Sequence, residues 1–284
     1  MSVLLAVPNV SEGRDRAALD AIGEAFSGAG ARVLDVHADG DHHRSVFTLA
    51  GERGVLGGAL AAGTEEALRR IDLSRERGIH PHVGAIDVVP VVHRTRAERG
   101  AACAEALVAA EEIGRLGVPV LLYGGLAGGR TRAELRRGGP TALAQRLLAG
   151  EIRPDFGPAA IDPRKGATLV AARPVLIAFN FEVDAPLEVA QAAARAVRES
   201  REAGLPGVRA LGLLLETSGI VQVSVNVEDH VAVPLAMLLE AVGRHAPVTA
   251  GEVVGLPPRA AFDGWPGEVP VHNRRTLEEA LGEG

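Results

Sequence analysis

The chain has 284 residues, close to half of them apolar, and a formal net charge of −6. That charge argues against a nucleic-acid binder held by a broad basic field, and basic pairs such as Arg69–Arg70 are too short to form a tract. Cys103 is the single cysteine, so an intrachain disulfide and a four-thiolate zinc site are both excluded. The opening "MSVLLAVPNVSEGR" has no basic leader and only a five-residue apolar run before Pro8, and no later run reaches transmembrane length. A cytoplasmic protein with no membrane partner is expected.

In chain order, "SVLLAVP" (2–8) reads as a buried strand. Ala18, Leu19, Ile22, Ala25 and Phe26 recur at helical spacing until "GAG" at 28–30 stops them. Residues 31–36 and 44–51 are β-branched strands around the polar loop "HADGDHH", 54–71 is a second helix, and 83–92 is a strand. A third helix (96–115) and a strand (118–124) follow. Residues 125–166 are rich in Gly, Arg and Pro, with one helix expected at 131–149. Then the order recurs: strand 174–183, helix 186–202, a hairpin of 208–216 and 220–227, helix 233–245 and strand 247–256. The tail from 257 is expected to strap over a surface and end in a short helix. The class is α+β, with two ferredoxin-like β-α-β-β-α-β subdomains, 1–173 and 174–284.

Five of the nine histidines fall in two loops. One holds His37, Asp39, Asp41, His42 and His43; the other is "HPH", His80 and His82. Imidazole with carboxylate suits zinc, manganese or iron. Asp and His are also ordinary turn residues, and a histidine near its usual pKa of about 6.5 suits proton transfer without a metal. From spacing alone all three readings stay open, and a metal enzyme would draw on His37, Asp41, His42, His80 and His82. Pro81 keeps His80 extended at the mouth of a strand. In "RPDFGPAAIDPRKGAT" (153–168), Gly and Pro permit close backbone approach to a ligand. Arg164 and Lys165, the only lysine, suit a carboxylate or phosphate; the stretch is equally a plausible linker. P-loop, dinucleotide and serine-hydrolase motifs are absent, and Cys103 reads as core filler.

Several stretches together resemble one family: "VPNVSEGR" (7–14), "HPHVGAIDVVPVV" (80–92), "PDFGP" (154–158) with the following Gly-Ala-Thr, "QVSVNVED" (222–229) and "GEVVGLPP" (251–258). The family is glutamate formiminotransferase, the folate-dependent enzyme of histidine breakdown. The resemblance implies transfer of a formimino group from N-formimino-L-glutamate to tetrahydrofolate, the co-substrate, bound in a groove between the two packed subdomains, with no metal, in a homodimer. It implies His80 as the catalytic acid/base. It also implies a folate loop of Gly157, Pro158, Ala159, Ala160, Ile161, Asp162, Pro163, Arg164, Lys165 and Gly166. Further contacts are expected at Asn9, Asp41, Arg44, His82 and Asp87. A cyclodeaminase domain, often fused in this family, is not expected within these residues. The chain departs from the family at His82, where arginine is usual, and at "LRRGGPTAL" (135–143), which matches Leu-Arg-Ala-Gly-Glu-Tyr-Glu. A metal-dependent enzyme, or a folate binder with altered or no turnover, are the alternatives.

Overall fold

A computed structural model describes residues 3–75, 82–198 and 204–283. The chain divides into two compact units, Met1–Pro174 and Val175–Gly284.

The expected first strand is two short ones, β1 (Val3–Ala6) and β2 (Asn9–Val10). Pro8 has no N–H to give the ladder, so the chain steps there. Helix α1 (Arg16–Gly28) is capped by Asp15, which accepts the Ala18 N–H at 3.0 Å. It buries Leu19, Ile22 and Phe26, and Gly30 at φ +96° turns the chain back. Strands β3 (Arg32–Asp39) and β4 (Arg44–Glu52) pair antiparallel, and α2 (Leu56–Arg70) follows. No side chain caps α2 from its own N-cap, Val55. Instead the buried Glu105 carboxylate accepts the N–H groups of Gly54 and Gly57. Glu105 belongs to α3 (Arg99–Arg115), so one side chain serves both helix termination and helix packing.

Strand β5 (Ile86–His93), β6 (Val120–Leu122) and β7 (Thr168–Pro174) complete the sheet, with β7 parallel to and between the other two. The sequence assigns no element between 167 and 173, where β7 lies. Across the antiparallel part, β1 and β2 lie between β4 and β5, and β4 lies between them and β3. The core under α1, α2 and α3 contains Phe26, Phe47, Leu60 and Val91. At the β5–β7–β6 end the opposite face is also buried, by Leu135, Leu143 and Leu147 against Val88, Leu121 and Leu169. Those leucines come from α4 (Arg132–Arg136) and α5 (Gly139–Leu148). The single helix expected at 131–149 is therefore broken. Gly138 and Gly139 take φ of 80° and 74°, left-handed values that interrupt a right-handed helix and leave Gly139 only at the very start of α5.

The second unit runs β8 (Ile177–Val183), α6 (Leu187–Val197), β9 (Val208–Leu214), β10 (Val221–Val227), α7 (Leu235–Gly243) and β11 (Val248–Val254). Its sheet order is β12-β11-β8-β10-β9, where β12 (Val271–His272) is a tail strand the sequence reading did not anticipate. Trp265 holds the tail down: its ring packs on Phe179, Phe181 and Phe262, and Nε1 donates to the Val269 carbonyl at 2.9 Å. The short helix α8 (Leu277–Leu281) closes the chain behind a Thr276 capping box. Among the described residues no helix is long and apolar enough to cross a membrane.

Candidate active site

The site is built outward from Asp87. Val10 pairs with Ile86 and Asn9 with Val88, so Asp87 is the extra residue of a bulge in β5. A bulge re-aims a side chain that regular pleating would place elsewhere. Asp87 is only 1% exposed, and a carboxylate that deep requires partners. Its Oδ1 accepts the Val83 N–H at 2.9 Å. Its Oδ2 accepts from Arg44 Nη1 at 3.2 Å and from Arg136 Nη2. Arg44 also donates to Asn9 Oδ1, and Asn9 is oriented by its own donation to the Val7 carbonyl at 2.8 Å. Burial pushes the Arg44 guanidinium down to about 9; Asp87 opposes that, while Arg136 and Arg132 add to it. Arg44 therefore stays charged at neutral pH. Two guanidinium groups share one carboxylate here, a net positive arrangement that suits an incoming anion. Beside it the Arg132 guanidinium lies 5.8 Å from the centre of the Tyr123 ring. Among the described residues the buried Tyr123 hydroxyl and Arg136 Nε have no hydrogen-bond partner.

The histidine stretch and the expected folate loop are hydrogen-bonded to each other. His80 and Pro81 lie outside the described residues; His82 is half-buried. From Val83 onward the chain is pinned. The Val83 carbonyl accepts from Ala167 N at 2.8 Å, the Gly84 carbonyl from Ser11 Oγ at 2.8 Å, and Ala85 N donates to the Lys165 carbonyl at 2.9 Å. Gly84 and Gly166 form a bridge so close that a Cβ on either would collide with backbone. The loop is bounded by Gly157 and Gly166 at φ +77° and +74°. Between them Pro158, Ala159, Ala160, Asp162, Pro163 and Arg164 are exposed, while Ile161 packs on the α4–α5 cluster. Asp162 shapes the turn, accepting Arg164 N on its side chain and Lys165 N and Gly166 N on its carbonyl.

The two basic residues of this loop do not join the Asp87 cluster. Arg164 lies 3.4 Å from Asp72, and Lys165 Nζ donates at 3.3 Å to Leu116 at the end of α3, where the helix carbonyls attract a cation. Asp41 and His42 belong to a separate turn. Asp39 Oδ1 accepts both of their backbone N–H groups, and Oδ2 meets His42 Nδ1 at 2.7 Å. Burial raises the Asp39 carboxyl, but the His42 ring and these N–H groups outweigh it and hold it low. His43 Nδ1 accepts the Gly13 N–H at 3.1 Å, tying "SEGR" to this turn. His37 sits on β3 opposite Val46. Among the described residues no group of three His, Cys, Asp or Glu is spaced to hold a metal ion. Cys103 is on α3, half-buried.

Arg136 and Tyr123 are the site residues that sequence reasoning missed. Arg136 had a signal, since it falls on the arginine of the family stretch matched at 135–143. Tyr123, the only tyrosine, had none beyond its rarity.

Comparison with known proteins places the chain among close relatives. Residues 3–173 match the family described as Formiminotransferase domain, N-terminal subdomain, and residues 178–263 match Formiminotransferase domain. Formimidoyltransferase-cyclodeaminase of Gallus gallus is 38% identical over 276 residues, covering 90% of this chain and 50% of that protein. The chain thus spans about half the length of the first curated relatives it matches. Glutamate formimidoyltransferase of Streptococcus pyogenes serotype M1 is 34% identical, covering 90% of this chain and 89% of that protein. The enzyme of that name from Thermoplasma acidophilum is 33% identical, with coverage of 92% and 90%.

Proposed function

The chain belongs to the formiminotransferase family, and from that premise we propose that it moves the formimino group of N-formimino-L-glutamate to N5 of tetrahydrofolate, releasing L-glutamate. The observation that carries this reading is the pinning of residues 83–85 to the glycine-bounded loop 157–166, next to the Asp87–Arg44–Arg136 cluster. The folate amine attacks the amidine carbon, a tetrahedral intermediate forms, and the C–N bond to glutamate breaks. The attacking nitrogen must lose a proton and the leaving nitrogen must gain one. His80 serves both steps, a role worth about 10²–10⁴-fold. Arg44 and Arg136 meet substrate carboxylate, and the fixed chain at 82–87 orients the reactants. The folate loop is Gly157 to Gly166, and Asn9 and Asp87 act by holding Arg44. The step as written uses no protein nucleophile and no metal. In this reading the enzyme serves histidine breakdown in the cytoplasm and works as a homodimer.

The test is turnover. Purified protein with formiminoglutamate and tetrahydrofolate should form the 5-formimino product. His80→Ala should lower kcat at least ~10²-fold. Full activity in that variant removes His80 from the mechanism, and absence of product with wild-type protein removes the reaction.

A further inference from the structure

A second polar triad stands in the second unit, on strands that correspond by order to those of the first. Asn9, Arg44 and Asp87 lie on β2, β4 and β5, where β1 and β2 run between β4 and β5. Asn180, Gln222 and Glu252 lie on β8, β10 and β11, where β8 runs between β10 and β11. Phe179, Phe181, Val223 and Val253 belong to the core, so strand alternation puts Asn180, Gln222 and Glu252 on the face turned away from it. Glu252 Oε2 accepts from Asn180 Nδ2 at 2.9 Å and, more weakly, from Gln222 Nε2 at 3.5 Å, and Asn273 Nδ2 lies 3.5 Å from Oε1.

Two features of this triad point to a ligand. Glu252 is held by neutral amides, and no ion pair reaches it among the described residues. Its charge is thus uncompensated, unlike that of Asp87. Gln222 is 1% exposed, and its Oε1 is buried with no hydrogen-bond partner among the described residues. Native proteins leave few such acceptors unmet, because each loses its hydrogen bonds to water without replacement. An uncompensated carboxylate beside an unmet carbonyl calls for adjacent N–H donors, preferably on a group able to carry positive charge.

We infer that Gln222 and Glu252 form an acceptor edge for a planar N–C–N group bearing two N–H donors. For its ligand this rests on the proposed function, because both substrates present such a group. One is the formamidine of the donor; the other is the aminopyrimidine edge of the folate pterin. Both motifs that carry the resemblance in this unit, "QVSVNVED" and "GEVVGLPP", would then contribute one side chain each to a single subsite.

Calorimetry on the full chain tests the inference with two ligand pairs. Formiminoglutamate is compared with glutamate, which lacks the amidine. Tetrahydrofolate is compared with p-aminobenzoylglutamate, which lacks the pterin. In Glu252→Gln and Gln222→Met, with Trp265 fluorescence confirming the fold, one intact ligand should lose about tenfold or more in affinity, the worth of a hydrogen bond to a charged group. Its truncated partner should be unaffected, and the ligand that weakens identifies the source of the N–C–N group. Wild-type affinity of both variants for both intact ligands overturns the inference. So does the absence of any difference within either pair on the wild-type protein. If the reaction fails but an amidine- or pterin-dependent difference persists, the proposed function falls and this site stands.

Discussion

The two units set similar polar side chains on corresponding strands and surround them differently. In the first unit the carboxylate of Asp87 is clasped by Arg44 and Arg136, sits in a bulge and accepts a third contact from the Val83 N–H. In the second, the carboxylate of Glu252 meets only side-chain amides among the described residues, those of Asn180, Gln222 and, at 3.5 Å, Asn273. The strand framework therefore does not decide the sign of a site; the neighbours do. Two guanidinium groups leave the first cluster positive and suited to carboxylates, while neutral amides leave the second negative and suited to N–H donors.

The difference is easiest to break at Asp87. Asp87→Ala would remove the buried carboxylate that the Arg44 and Arg136 guanidinium groups share. Removing one partner of a buried ion pair costs about 3–5 kcal/mol, so urea unfolding followed by circular dichroism should show a large drop in midpoint. A variant as stable as the parent would mean that Arg44 and Arg136 turn to other partners, and the first cluster would then not depend on its carboxylate.

A smaller effect is expected where the two motifs of the first unit are stitched together. Gly166 has φ +74°, and a Cβ there would meet the Val83 carbonyl oxygen and Gly84. Gly166→Ala should cost about 1–3 kcal/mol from backbone strain alone and should lower turnover by displacing residues 83–85. A thermal melt and a rate assay on the same sample check both. Unchanged turnover in a destabilised variant would separate the stitch from the chemistry.

Much of the fold was legible because apolar spacing carries it: Leu19, Ile22 and Phe26 marked α1, and the hairpin of β9 and β10 showed as two alternating runs around "TSG". Strand β7 was not legible. "TLVAARPVLIAFNFEV" runs from β7 into β8 with no polar turn between them, so of two strands in different units only the second reads as one. The break between α4 and α5 was visible as Gly138–Gly139 but lost in a helical average. At the site, Asp87 carried a signal, an acid within the apolar run "AIDVVPVV". Arg136 reaches it from 49 residues away, and no local pattern encodes such a contact. Lys165 was conspicuous as the only lysine, yet its side chain is occupied at the end of α3.

The smallest effect should come at Glu252, which is the sharper test of the comparison. Glu252→Gln removes a charge that no ion pair balances among the described residues and retains a carbonyl oxygen for the Asn180 amide. Where Asp87→Ala takes a carboxylate away from two guanidinium groups, this change takes one away from neutral amides. Trp265, the only tryptophan, packs on Phe179 and Phe181 within the same unit, so its fluorescence reports unfolding there. The shift should stay within about 1 kcal/mol, the net worth of one neutral hydrogen bond. A loss as large as that of Asp87→Ala would show that the second carboxylate is as firmly compensated as the first. The two clusters would then differ in geometry but not in charge, and the case for an N–H-rich ligand at Gln222 and Glu252 would lose its electrostatic half.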